Sequence, residues 1–134
     1  MNVKIVKFKN NTDTYGSLVP IEGEVDFPFP IKRIYYIYNV PKDIRRGFHS
    51  HKDLHQILIN VSGSTDILVK TPNEEQIFHL SNPTEGLYIG PNIWREMYNF
   101  SEDSVLLVLA SELYDENDYI RDYSKYVEYL NEIE

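Results

Sequence analysis

A succession of short β-type segments, separated by turn residues, constrains the fold of this chain most strongly. The segments are Val3–Phe8, Ser17–Ile21, Ile31–Val40, Gln56–Val61, Asp66–Lys70, Gln76–Leu80, Leu87–Ile89, Ile93–Asn99 and Val105–Ala110. Gly, Pro, Asn and Asp mark the breaks between them, as at residues 13–16 and 71–73. Many short strands at this spacing are typical of a β-sandwich or a β-barrel. The sequence therefore predicts an all-β protein.

Only the C-terminal end has the spacing of a helix. Between Asp118 and Glu134 bulky residues recur at steps of three and four, namely Tyr119, Tyr123, Tyr126, Val127, Leu130 and Ile133. This periodicity predicts an amphipathic helix that packs on the barrel or on a second subunit. With 134 residues in all, we expect a single domain over 1–134, with a barrel over about 1–111 and a helical tail over about 115–134.

Composition removes several classes of function. The formal net charge of −8 argues against a nucleic-acid partner, and the absence of cysteine excludes disulfides and thiol chemistry. No apolar run is long enough to cross a bilayer, and the N-terminus alternates like a strand. We therefore expect a cytoplasmic protein without a membrane partner.

Local charge clusters modify this general expectation. An acidic protein can still bind a small anion such as a diphosphate through a group of arginines, and the candidates are Arg33, Arg45, Arg46 and Arg95. The acidic residues in the tail are predicted to form the solvated face of the helix; they are Glu112, Asp115, Glu116, Asp118 and Asp122.

A histidine pair is the most informative candidate site. His49 and His51 are separated by Ser50, so on a β-strand the two imidazoles point to the same face and the serine to the other. Two imidazoles on one face suggest either a metal site or proton transfer.

The spacing after the histidines resembles the first motif of the cupin β-barrel, with Gln56 where metal-binding cupins have an acid. The second cupin motif is matched only by Asn99, and Arg95 takes the place of its histidine. An amide is a poorer ligand than a carboxylate for a transition metal, and an arginine cannot release its proton. A metal-free acid–base site is thus favoured over a metal site, and also over two structural core histidines.

Longer matches resemble one family, the WxcM-like sugar 3,4-ketoisomerases, which are cupins that act on dTDP-4-oxo-6-deoxy-D-glucose. The matching segments cover nearly the whole chain; the main ones are Gly16–Leu18, Lys32–Ile37, Arg46–Lys52, Ser62–Ser64, Gly86–Ile89, Trp94–Met97 and Leu109–Arg121. One small departure is Ser50, where the family usually has alanine.

The resemblance implies a jelly-roll cupin with no metal and no cofactor. It implies a homodimer, often with strands exchanged between subunits, and a role in making 3-amino-3,6-dideoxy sugars for surface glycans. In the strand around residues 33–38, alternation gives one face Tyr36 and Tyr38 and the other Arg33 and Tyr35. A strand with large amphipathic side chains on both faces is often covered on both sides by a ligand or by a partner chain, and with the alternation of the first strand we expect a dimer.

The implied reaction moves a ketone from C4 to C3 of the sugar through an enediolate. We expect His51 to be the base at C3 and C4, and His49 to carry a proton between O3 and O4, although spacing leaves that order open. The predicted substrate-binding residues are Arg33, Tyr36, Arg46, Gln56, Arg95 and Tyr15.

Some of these residues carry more specific expectations. Arg46 is expected to bind the diphosphate or an enediolate oxygen, and Gln56 to orient a histidine. Arg95 is expected to meet an acid near Glu96 or the substrate. Tyr15 is expected to reach the same pocket, and together with Arg95 it favours the gluco-configured product over the galacto one.

Two rival functions remain open at this level. A metal-dependent cupin requires a third ligand, which His55 or His79 would have to supply; His55 shares a face with His51 if the strand continues uninterrupted. A non-catalytic sugar-nucleotide-binding module would need the Arg and Tyr residues but not two histidines on one face.

Overall fold

The computed structural model describes residues 1–134. Its strands are β1 Val3–Lys7, β2 Asn11–Asp13, β3 Gly16–Leu18, β4 Arg33–Tyr38, β5 Arg46–His51, β6 Gln56–Ser62, β7 Thr65–Lys70, β8 Glu75–Leu80, β9 Glu85–Ile89, β10 Trp94–Tyr98, β11 Val105–Ala110 and β12 Tyr119–Ile120. A 3-10 turn spans Glu116–Asp118 and helix α1 spans Tyr123–Ile133. The prediction of an all-β protein with a short C-terminal helix is confirmed. No helix of the protein has the length and apolar character needed to span a bilayer.

The strands form two five-stranded antiparallel sheets. The first has the order β1-β9-β6-β11-β4 and the second β12-β5-β10-β7-β8, while β2 and β3 form a separate hairpin. Leu58, Leu106 and Val108 of the first sheet pack with Val69 and Met97 of the second. This contact layer between the sheets is the main hydrophobic core.

Strand β6, in the middle of the first sheet, is buried on both of its faces over its first five residues. Ile57 and Ile59 alternate with Leu58 along β6 and pack on the outer side against Phe27 and Phe29, from the loop that precedes β4. A strand covered on both faces is apolar at nearly every position, which explains why β6 lacks simple alternation.

Helix α1 covers the outer face of the second sheet. Tyr126 packs against Trp94 and Ile120, and its hydroxyl donates to the carbonyl oxygen of Asn92 at 2.8 Å. Asp122 caps the helix by accepting from the backbone N–H of Lys125. Ser50 pairs with Ile120 and is fully buried on this same side, facing away from the histidines as expected.

The helix is shorter than the predicted span of 118–134. The 3-10 turn and the short strand β12 occupy residues 116–120, and the cap at Asp122 fixes the start of α1 at Tyr123. Glu112, Asp115, Glu116 and Asp118 all precede the helix, and Asp122 is its N-cap, so the expectation that these residues form the solvated face of the helix is corrected.

A β-bulge in β5 sets the direction of the histidines. Arg95 pairs with His49 but Glu96 pairs with Gly47, so Phe48 is an extra residue in the strand. Gly47 has φ of 93° and Phe48 has φ of 55°, both in the left-handed region. A Cβ at Gly47 would lie 2.9 Å from the carbonyl oxygen of Arg95, so the bulge has room only for glycine there.

Candidate active site

The two histidines of β5 lie side by side on the inner face of the second sheet. Their ring centroids are 4.9 Å apart and the rings are nearly perpendicular, at 85°. His49 keeps 9% of its surface exposed and borders a cleft, whereas His51 is fully buried. The ring of Tyr119 lies 5.1 Å from His49 and 4.3 Å from His51, so it packs against both imidazoles.

A network of buried hydrogen bonds lies beside the histidines. The Arg95 guanidinium donates to the Gln56 side-chain oxygen at 2.6 Å and to the carbonyl oxygen of Ile93 at 3.0 Å. The Gln56 amide in turn donates to the hydroxyl of Tyr35 at 3.0 Å. Arg95 is 1% exposed, and no carboxylate contacts it in this network. Arg95 therefore pairs with Gln56 and not with an acid near Glu96, and Gln56 does not contact either histidine; that Arg95 meets the substrate stays a prediction.

The histidines are neutral in this environment. Burial, reinforced by the positive charge of Arg95, lowers the pKa of His49 from 6.5 to about 3. The same two causes, in the same order, lower the pKa of His51. Burial also lowers the pKa of Arg95, to about 10, so this arginine stays charged at neutral pH. A neutral imidazole has one nitrogen with a free lone pair and can act as a base, and the fixed cation next to it favours any anion that forms there.

A cleft of about 480 Å³ opens onto His49 and carries a cationic rim. Arg33 and Arg46, both predicted to bind substrate, border it together with Arg121, which is not among the predicted residues. The guanidinium of Arg121 stacks over Tyr119 at 4.2 Å and is paired with Glu116. Three guanidinium groups around one opening suit a diphosphate, even in a protein of net charge −8.

Two of the predicted residues, Arg45 and Tyr15, lie outside this cleft, and Tyr36 lies at its edge. Arg45 stacks on Tyr98 at 4.0 Å and pairs with Glu96, outside the cleft. Tyr36 touches the rim but belongs to the outward row of β4 and is 62% exposed. Tyr15 is 97% exposed on the turn of the β2–β3 hairpin and does not border the cleft of its own chain, which corrects the expectation that it reaches the pocket there.

The site residues that the sequence did not predict come from the segment after the barrel. Asp118 accepts a hydrogen bond from His51, and Tyr114 and Tyr119 form one wall of the cleft. The acidic run in this segment predicts a solvated helix face, which hides the turn that brings these residues to the site. Asp115, which accepts from the N–H of Asn117 and so starts the 3-10 turn, is the local signal that could have marked the break.

The third ligand that a metal-dependent cupin would need is engaged elsewhere. Strand β5 ends at His51, and His55 is hydrogen-bonded to the hydroxyl of Tyr88 at 2.7 Å. His79 pairs with Asp66 on the surface at 2.6 Å. Neither histidine joins the pair on β5, and no group of three His, Cys, Asp or Glu side chains is arranged to hold a metal ion.

The lowered pKa of His49 predicts a specific loss of stability in acid. The folded pKa of about 3 lies below the unfolded value of 6.5, so the unfolded state binds the proton more readily than the folded state. The contribution of neutral His49 to the free energy of unfolding is therefore complete above pH 6.5 and is lost as the pH falls toward 3. Between pH 7 and pH 5 the free energy of unfolding of the wild type should fall by about 2 kcal/mol more than that of His49→Asn. Urea titrations of both proteins at the two pH values measure this difference, and equal losses would contradict the neutral buried histidine.

Comparison with known proteins places this geometry in a family. The family model described as FdtA: WxcM-like, C-terminal matches residues 1–131. TDP-4-oxo-6-deoxy-alpha-D-glucose-3,4-oxoisomerase of Aneurinibacillus thermoaerophilus is 45% identical over 133 residues, which are 99% of this chain and 96% of that protein.

Two solved structures extend the comparison to the fold. A mutant of the 3,4-ketoisomerase QdtA from Thermoanaerobacterium thermosaccharolyticum, in complex with TDP-4-keto-6-deoxyglucose, is 57% identical, with a TM-score of 0.95 over 98% of this chain and 95% of that one. A 3,4-ketoisomerase from Helicobacter canadensis is 46% identical, with a TM-score of 0.94 over 98% of both chains. The chain therefore belongs to the WxcM-like, C-terminal family.

Proposed function

We propose that this protein is a sugar-nucleotide 3,4-ketoisomerase that converts dTDP-4-oxo-6-deoxy-D-glucose into a dTDP-3-oxo-6-deoxyhexose. The observation that carries the proposal is the neutral histidine pair beside a cleft with three arginines on its rim. The names of the family relatives agree with it, because each describes a 3,4-oxoisomerase or 3,4-ketoisomerase.

The reaction needs a base and a stabilised anion, and it involves no net oxidation. The C3 hydrogen is acidic because it is α to the C4 carbonyl, and its removal as a proton leaves an enediolate. Protonation at C4, with transfer of a proton from O3 to O4, then gives the C3 ketone and the C4 hydroxyl. The fixed charge of Arg95, which disfavours a histidine cation, favours the enediolate in the same region.

We propose His49 as the base at C3 and C4, which reverses the order expected from the sequence. His49 borders the cleft, whereas His51 is fully buried behind it and so suits the proton transfer between the oxygens. A bound diphosphate and a forming enediolate both bring negative charge close to His49. That charge raises its pKa toward the range where a histidine is an effective base.

The arginines divide between binding and electrostatics in this proposal. Arg33, Arg46 and Arg121 border the cleft and bind the diphosphate. Arg95 acts through its charge from its buried position beside the histidines, held in place by Gln56.

The next enzyme would be an aminotransferase acting at C3, since the 3-oxo product carries the carbonyl that such an enzyme uses.

We further propose that the protein is a homodimer in which the β2–β3 hairpin is exchanged. Every residue of strands β2 and β3 is exposed, and an isolated two-stranded hairpin is marginally stable in water. A partner would cover this hairpin, and Tyr15 on its turn would then serve the partner's site.

We also propose that 1–134 is one domain, because α1 packs on Trp94 of the barrel. A cytoplasmic location stays a prediction.

The outer face of β4 offers a test of the dimer. Ile34, Tyr36 and Tyr38 form an exposed row on this edge strand, each about 60% exposed. We expect Tyr38→Asp to be a monomer at concentrations where the wild type is a dimer, because a buried unpaired carboxylate is costly. Light scattering after size exclusion measures the mass. Ile77→Asp, at a similarly exposed position on the edge strand β8, is the matched control and should stay dimeric. A dimeric Tyr38→Asp protein would contradict this interface.

Carbon-13 NMR tests the activity directly, with substrate labelled at C4. We expect the labelled carbon to change from a ketone to a secondary alcohol as the product forms. The proton coupling constants at C4 then give the configuration, which Tyr15 with Arg95 predicts to be gluco. A labelled ketone that persists with folded protein would contradict the proposed function.

A further inference from the structure

A short turn after the barrel places a carboxylate against the more deeply buried histidine. Nδ1 of His51 lies 3.0 Å from a carboxylate oxygen of Asp118. A carboxylate can only accept, so Nδ1 must carry the proton and donate it. The neutral imidazole then has its lone pair on Nε2, and that atom is buried and has no hydrogen-bond partner.

The backbone fixes Asp118 in this position from several sides. Its second carboxylate oxygen accepts from the N–H of Asp53 at 2.8 Å, and its carbonyl oxygen accepts from the N–H of Lys52 at 3.0 Å. The next residue, Tyr119, pairs with His51 in the ladder between β12 and β5. Both carboxylate oxygens are therefore committed, and the side chain cannot turn away from the histidine without losing one of these bonds.

We propose that Asp118 is a positioning residue that holds His51 in the Nδ1–H tautomer. The arrangement keeps the Nε2 lone pair free to take a proton during the reaction, and the carboxylate stabilises the imidazolium that results. A buried hydrogen-bond acceptor without a partner, such as Nε2 of His51, is rare in folded proteins and often has a catalytic role. Proton transfer beside His49 is such a role. The role in turnover rests on the proposed function, but the tautomer does not.

The substitution Asp118→Asn removes the negative charge at residue 118 and should change the tautomer of His51, while the size of the side chain stays the same. The N–H of Asp53 can donate only to the amide oxygen of the new side chain, so the amide NH₂ would face Nδ1 of His51. That group is a donor, and it would force Nδ1 to accept and move the histidine proton to Nε2. The size of the side chain is unchanged, so we expect the fold to be retained.

Nitrogen-15 NMR of the imidazole groups reads the tautomer without any substrate. With His-labelled protein, we expect His51 of the wild type to show a protonated Nδ1 and an unprotonated Nε2, and Asp118→Asn to show the reverse. The variant should lose about 10²–10⁴-fold in kcat. Its KM should change little, because Asp118 does not border the cleft that opens onto His49. Its urea midpoint should stay close to that of the wild type.

Glu112→Gln is the control, because it also removes a carboxylate from the neighbouring cleft that Asp118 borders. Glu112 pairs only with the exposed Lys32 and does not contact His51. It should keep both the wild-type tautomer and the wild-type kcat. A wild-type His51 protonated on Nε2, or an Asp118→Asn protein with unchanged tautomer or unchanged kcat, would overturn the inference. If the variant does not fold, the wild-type spectrum still decides. A wild type with the expected tautomer but no conversion of the sugar would count against the proposed function alone.

Discussion

Replacing His49 by asparagine should reduce kcat by about 10²–10⁴-fold, the usual contribution of a positioned acid–base group. His49 is the histidine that borders the cleft, and its cross-strand partner is the buried Arg95. Asparagine keeps a polar side chain of similar reach but cannot accept a proton from C3. The loss should therefore appear in the chemical step, while binding of the nucleotide by Arg33, Arg46 and Arg121 should persist.

Two measurements separate this result from a general defect. Isothermal titration with dTDP should give the variant a Kd within a few-fold of the wild type. His79→Asn is the matched histidine control, because His79 lies on the surface paired with Asp66 and should retain full activity. If His49→Asn turned over at the wild-type rate in a folded protein, His49 could not be the base.

The second large effect is expected from Gly47→Ala, which should lower the free energy of unfolding by about 3 kcal/mol. Gly47 has φ of 93°, and a new Cβ would lie 2.9 Å from the backbone oxygen of Arg95, where no flexible side chain can give way. Relief of the clash would shift β5 relative to β10. Because the bulge directs His49, kcat should fall as well.

Gly16→Ala is the control for backbone strain alone. Gly16 also has a positive φ, of 128°, but nothing lies within 4 Å of the point that a new Cβ would occupy. Urea denaturation of the two variants should show a clearly larger loss for Gly47→Ala. Equal losses would mean that the close packing of β5 on β10 does not require glycine.

The sequence predicts the barrel well because strand signals are local. Alternation on β4 assigns Arg33 and Tyr35 to one face and Tyr36 and Tyr38 to the other, and the structure has this pattern. The positions of His49 and His51 on one face also follow from alternation once the bulge lies before His49. The predicted bounds of the other strands of five or more residues differ from the structure by two residues at most, whereas β5 was not among the predicted strand segments.

The contacts that complete the site depend on long-range pairing, which no local pattern encodes. Asp118 lies 67 residues after His51 along the chain, and the two meet only because β12 adds to the edge of β5. Arg95 and Gln56 come from different sheets, so their hydrogen bond could not be anticipated from either motif. Residue types thus indicated the proposed chemistry, whereas the partners of those residues required the fold.

Proton transfer by the histidine pair can be followed in an NMR time course of wild-type protein, treated with chelator, acting on dTDP-4-oxo-6-deoxy-D-glucose in D₂O. We predict a 3-oxo sugar with deuterium at C4, because a proton held on a histidine exchanges with solvent. The His49→Asn variant should leave the starting sugar unchanged over the same period. Starting sugar that also persists with the wild type, with no deuterium at C3, would contradict proton transfer by the histidine pair.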